Sequence, residues 1–200
     1  MIYRGPDFSF ESALEGLICG VDEAGRGPCA GPLAVSAVIL DPQAIPEGLN
    51  DSKRLTEKQR FALEPEIKRH ALAWSVVMIS APEIDRMNIL AATLLGMTRA
   101  VEFLLPAAVH ALIDGNMCPK LTIPSTAIVK GDSRSLSIAA ASILAKTARD
   151  RLMMELDDLY PAYGFKKHKG YQAKSHIEAL KLHGPTPEHR LSWATLKNLA

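Results

Sequence analysis

Five short apolar runs punctuate the chain, and segments of helical period separate most of them. Residues 17–22 and 33–40 read as strands joined by a Gly/Pro-rich connection over 24–32. Residues 74–79, 110–116 and 125–129 read as three more. Ser52 is placed to cap a helix running to about residue 72, and Pro65 is expected to kink or split it. Pro82 opens a helix over about 82–104 that carries Ile84, Met87, Leu90, Ala91, Leu94, Leu95 and Thr98 on one face. A helix over about 133–159 repeats Ile138, Ala141, Ala145, Ala148 and Leu152, small residues suited to close packing on a sheet. Two short helices, about 174–183 and 187–198, follow a basic loop. The early strands are near enough in sequence to pair antiparallel. The later ones are separated by helices, which implies crossovers to parallel neighbours. The expected architecture is α/β: a mixed five-stranded sheet flanked by helices, with a small helical C-terminal extension.

Bulk properties narrow this picture only a little. At 200 residues, 48% hydrophobic and 22% charged, the chain fits one domain with an ordinary core. Its net charge of +1 is no basic footprint, so attraction to nucleic acid would have to come from a local patch. Cys19, Cys29 and Cys118 form no C-x-x-C pair, and read as small, partly buried thiols in a reducing compartment. The first eleven residues hold no apolar signal region, and no run reaches 18 apolar residues. A soluble, cytoplasmic, membrane-free protein is expected.

The candidate chemistry lies at strand ends. Asp22 and Glu23 close the first strand, Asp114 closes the fourth, and Asp132 follows the fifth. In an open α/β sheet such ends form the usual ligand crevice. Carboxylates converging there make an oxygen-only set suited to Mg²⁺ or Mn²⁺ and not to zinc. Two such ions suit phosphodiester cleavage. Each acid also has a structural explanation: Asp132 can cap the helix behind it, and Asp114 before Gly115-Asn116 can form a turn. Neither role needs both Asp22 and Glu23, and acids on three separate strands favour chemistry.

Around them stand residues fit for a polyanion. Gly25, Arg26 and Gly27 form a loop whose backbone can approach a phosphate or sugar. Asn50, Ser52 and Lys53 can hold a backbone phosphate, or Ser52 can cap a helix while Lys53 is solvated. Lys166, Lys167, Lys169 and Lys174 surround Tyr171, whose ring can stack on a base or sugar. Lys146 and Asp150 are spaced for a surface ion pair. His168, His176, His183 and His189 have no H-E-x-x-H spacing, so no histidine metal site is expected. Tyr160 and Tyr163 flank Pro161 and read as turn packing.

Five motifs together carry a resemblance. Gly20-Val21-Asp22-Glu23-Ala24-Gly25-Arg26-Gly27-Pro28, Leu49-Asn50-Asp51-Ser52-Lys53, Ile113-Asp114-Gly115-Asn116, Lys130-Gly131-Asp132-Ser133 and His168-Lys169-Gly170-Tyr171 are similar, in order, to those of bacterial ribonuclease HII. The likeness runs from about residue 17 to 193. It implies a ribonuclease H-like catalytic domain over 1–160, with residues 161–200 packed on it. It also implies a monomeric, two-metal-ion endoribonuclease acting on RNA–DNA hybrids and on single ribonucleotides in duplex DNA, with a part in ribonucleotide removal. Cleavage is expected 5′ of the ribonucleotide, leaving 3′-hydroxyl and 5′-phosphate ends. Asp22, Glu23, Asp114 and Asp132 take the positions of the catalytic, metal-binding carboxylates. Gly25, Arg26 and Gly27 take that of the loop reading the 2′-OH, and Tyr171 that of the stacking tyrosine. Gln172-Ala173 stands where the family usually has Pro-Thr, Cys29 where leucine is common, and Leu191 and Trp193 where Arg and Phe are usual. The rival readings are another nuclease of the same fold, such as a junction resolvase, and a silent hybrid-binding module.

Overall fold

The computed structural model describes residues 5–198. The terminal stretches read above extend beyond this by four residues at one end and two at the other, which lie outside the described part. The sheet has five strands: β1 (Ile18–Ala24), β2 (Leu33–Leu40), β3 (Ala71–Ile79), β4 (His110–Asp114) and β5 (Ser125–Ile128). Their order across the sheet is β3-β2-β1-β4-β5. β1 pairs antiparallel with β2, and β2 with β3; β1 pairs parallel with β4, and β4 with β5. The mixed sheet expected from connection lengths is therefore present. β2 is buried along its whole length, as suits a largely apolar interior strand covered on both faces, and its one polar side chain, Ser36, donates to the Ser75 carbonyl.

Eight helices accompany the sheet among the described residues: α1 (Ser9–Ser12), α2 (Glu57–His70), α3 (Ala81–Met87), α4 (Ile89–Glu102), α5 (Leu136–Leu159), α6 (Phe165–His168), α7 (Lys174–His183) and α8 (Ala194–Lys197). On one face Leu33, Val35, Ala37 and Ile39 pack with Met97, Ala100 and Val101 of α4. On the other, Val38 and Leu40 pack with Ile67 of α2 and with Ala140, Ala141, Ile143 and Leu144 of α5.

Several boundaries depart from expectation for local reasons. α2 starts at Glu57 because Thr56 and Gln59 form a reciprocal capping box; Ser52 is not its cap. Pro65 does not split it. The helix along 82–104 divides at Asn88, whose φ of 73° ends α3 while its Oδ1 accepts from the Leu90 and Ala91 amides to start α4. The restart turns the apolar face, so Ala92, Thr93, Gly96 and Met97 are buried and Leu90 is 42% exposed. α5 begins at Leu136, with Ser135 as its N-cap. The segment 187–198 is helical only in α8. Cys19 and Cys29 are buried, but Cys118 is exposed.

α5 comes close enough to β1 at Gly20 to leave no room for a side chain. A Cβ placed on Gly20 would lie 2.1 Å from the Ser137 carbonyl carbon and 2.2 Å from the Ile138 nitrogen. Both are backbone atoms and cannot turn aside as a flexible side chain could. Gly20→Ala should therefore cost more than about 3 kcal/mol in urea unfolding, beyond ordinary overpacking. A change under about 1 kcal/mol would show that α5 is free to shift.

Candidate active site

Because β1 and β4 run parallel, Asp22 and Asp114 leave the sheet at the same end. Asp132 reaches them from a 3₁₀ turn over Gly131–Ser133, after β5 and before α5. One carboxylate oxygen from each of the three lies within 4.8 Å of the others. Asp132 does not cap α5, since Ser135 does so through Ile138 N. Asp114 does more than end a turn: its Oδ1 accepts the Gly131 amide at 2.6 Å, tying β4 to the turn that carries Asp132. Glu23 stands beside this trio and lines the same cleft, with its Oε1 3.5 Å from Arg26 Nη1.

The electrostatics of the trio are unfavourable without a cation. Burial raises Asp22 well above the ordinary carboxylate range, and the charges of Glu23, Asp114 and Asp132 push it further. Burial also raises Asp114, with the Asp132 charge adding to it and the Gly131 and Asp132 amides opposing. Burial raises Glu23 while Arg26 draws it back. Lys53 supplies part of the missing charge, with Nζ 3.0 Å from Asp132 Oδ2 and 3.8 Å from Asp51 Oδ1. Three clustered carboxylates with one ammonium fit a hard divalent cation, which takes oxygen donors and favours their ionised form.

Alongside lies a cleft of about 250 Å³ lined by Asp22, Glu23, Asp114, the Gly25–Gly27 loop, Ser52, Lys53, Lys146, Arg149 and Tyr171. Asn50 does not line it; its Oδ1 accepts the Asp51 amide. Ser52 is buried, 2.7 Å from Ser142 Oγ of α5. The exposed Tyr171 ring lies beside Gly27, where an added Cβ would sit 3.5 Å from Cε1. Of the basic run, Lys169 is drawn back against the Lys166 carbonyl and Glu57. Asp150 is buried, not on the surface, because Arg60 of α2 joins Lys146 on its carboxylate.

Two residues that helical periodicity left unassigned shape the loop. Arg149 and Arg190 are fully buried yet form no ion pair among the described residues. Arg190 donates to the carbonyls of Gly25 (2.6 Å), Arg26 (3.1 Å) and Gly31 (3.0 Å). Arg149 donates to those of Ala30, Pro32 and Lys169 at 2.9–3.0 Å. Gly25 has φ +100°, and a Cβ there would strike Arg149 at 2.1 Å. The departures Gln172 and Trp193 both donate to the Gly27 carbonyl at 3.4 Å. With its carbonyls turned inward, the loop leaves the Gly25, Arg26 and Gly27 amides without hydrogen-bond partners among the described residues. No local sequence signal marks Arg149 or Arg190, since their partners are carbonyls more than a hundred residues away in most cases.

Carboxylates gathered at the ends of parallel strands, with a loop of unpartnered amides beside them, belong to the ribonuclease H-like class of metal-dependent nucleases. The ribonuclease H2 of Pyrococcus horikoshii superposes with TM-score 0.78 at 28% identity, covering 92% of this chain and 97% of that one. A ribonuclease HIII solved in complex with Mn²⁺ superposes at 0.73 over 92% of this chain and 68% of that one; its 21% identity shows the fold alone. Residues 19–196 match the family model for ribonuclease HII. A ribonuclease HII of Caulobacter vibrioides is 58% identical over 194 residues, 96% of this chain and 92% of that one. The chain belongs to the ribonuclease HII family, and is an endoribonuclease that uses divalent metal.

Crowded acids held for a cation are a cost to the bare fold. Raised in the folded state, Asp22 destabilises it increasingly as pH rises through its folded pKa. In EDTA at neutral pH, Asp22→Asn should be about 1 kcal/mol more stable than the parent chain by urea unfolding. The gain should vanish as pH falls toward 4 and Asp22 takes up its proton. Added Mn²⁺ should stabilise the parent and not the variant. A loss of stability in EDTA would overturn the electrostatic account.

Proposed function

We propose that this protein cuts RNA–DNA hybrids and nicks duplex DNA on the 5′ side of a single embedded ribonucleotide, leaving 3′-hydroxyl and 5′-phosphate ends. The observation that carries the reading is the convergence of Asp22, Asp114 and Asp132 oxygens within 4.8 Å, beside the Gly25, Arg26 and Gly27 amides, which have no partner among the described residues. Asp22, Asp114 and Asp132 hold the divalent ions, Mg²⁺ or Mn²⁺, with Glu23 completing the set. When bound, a pair of such ions supplies an activated water and neutralises charge on the leaving oxygen.

The chain's own groups do the rest. The Gly25–Gly27 amides donate to the ribose 2′-OH and an adjoining phosphate, the handle that separates RNA from DNA at one nucleotide. The 2′-OH is read and is not the nucleophile, which gives the 3′-hydroxyl end. Tyr171 stacks on the sugar or base without regard to sequence. Lys53 balances Asp132 and, with Ser52 and Asn50 near it, meets the backbone. Lys166, Lys167 and Lys174 draw in the duplex, so affinity falls steeply with salt. Residues 1–160 carry the chemistry and 161–200 complete the substrate face, in a protein acting as a monomer in the cytoplasm during ribonucleotide removal.

A duplex with one ribonucleotide, incubated with Mn²⁺, Mg²⁺ or EDTA beside an all-DNA control, tests this. A metal-dependent nick at the ribonucleotide alone is expected. Cutting of both duplexes would point to a general nuclease of this fold, and binding without cutting to a silent module. Asp132→Asn should lower turnover on the order of a hundredfold or more, with its melting temperature kept within a few degrees because it caps no helix.

A further inference from the structure

Two residues near the C-terminal end touch both halves of the recognition surface. Arg190 holds the Gly25 and Arg26 carbonyls from beneath the loop. Its neighbour His189 holds Tyr171 through a buried relay. The Thr186 amide donates to His189 Nδ1 at 2.9 Å, so the His189 proton sits on Nε2. That proton is donated to His176 Nε2 at 3.0 Å, and His176 Nδ1–H donates to the Tyr171 carbonyl at 2.8 Å. Every nitrogen of the pair is satisfied with both rings neutral, and both are at most 2% exposed. Burial and the neighbouring ring push His189 down to about 4, so the relay stays intact at neutral pH. The pair 189–190 is itself pinned: Arg190 N donates to the Cys29 carbonyl, and Asp85 accepts the Leu191 and Ser192 amides. Arg190 also lies over the Trp193 ring at 4.9 Å.

We propose that His189 and Arg190 are positioning residues that together fix the spacing between the Gly25–Gly27 amides and Tyr171, and so set how strongly a ribose is told from a deoxyribose. The inference rests on the reading of that loop and tyrosine as the ribose-recognising surface. The physical basis is rigidity. A guanidinium presents fixed, forked donors that three carbonyls can share, which a lysine ammonium on a flexible stem does not reproduce. An imidazole pair passes position from one backbone segment to another only while one ring donates and the other accepts.

The test compares affinities, in Ca²⁺ to occupy oxygen sites, for a duplex with one ribonucleotide and the same duplex in all DNA. The parent chain should prefer the ribonucleotide; absence of any preference would count against the recognition reading itself. Arg190→Lys should cut the preference about tenfold, the worth of one charge-assisted hydrogen bond, and leave all-DNA affinity within about twofold. A purely structural role would lower the active fraction equally for both duplexes and leave the ratio unchanged, which would overturn the proposal. If Arg190→Lys does not fold, His189→Leu against His189→Gln makes the same comparison. Gln can still present a donor toward His176 and should restore most of the preference, whereas Leu should not. Equal ratios in both would also overturn it.

Discussion

The site depends on one close approach. Gly20 lets the first turn of α5 lie against the backbone of β1, with nothing but van der Waals contact between them. Asp22 is two residues further along that strand, and Asp132 is four residues before α5 begins. Any side chain at position 20 would push the helix away from the sheet and carry Asp132 with it. Carboxylates repel, so the acids do not draw one another together in the bare protein. Packing does so, through the small residues Ala139, Ala140, Ala141 and Ala145 that α5 presents, helped by the Gly131 amide on Asp114 and the Lys53 ammonium on Asp132.

Much of this was legible from sequence because it is periodic or local. The largely apolar run at 33–40 read as a strand, and it is one, buried along its whole length. The small-residue spacing of 133–159 foretold a helix pressed on a sheet. The acids announced themselves because adjacent Asp22 and Glu23 answer no folding need. Misreadings came where two local signals competed. Thr56 with Gln59 outcompeted Ser52 as a cap because a capping box satisfies two amides at once. Asn88 divided a segment whose apolar spacing read as unbroken, and so turned the buried face.

What could not be read was long-range and polar. Arg149 carried no assignment and Asp150 read as half of a surface ion pair, yet both are buried. Their partners, carbonyls of 30, 32 and 169 for one and Arg60 for the other, are adjacent only once the chain is folded. Backbone carbonyls have no residue-type signature, so an arginine that binds them leaves none. The histidines lack the H-E-x-x-H spacing, and a spacing test of that kind could not show a relay between His176 and His189.

The span between Arg190 and the loop it holds has a bearing on how the molecule is made. The guanidinium meets carbonyls 159 to 165 residues earlier in the chain. A ribosome releases the loop sequence well before the arginine that holds it. Strands, acids and helix can assemble while synthesis continues, but the loop carbonyls are not gathered inward until residue 190 has emerged. A chain cut short before residue 190 would keep all four acids and lose the guanidinium that gathers the loop carbonyls.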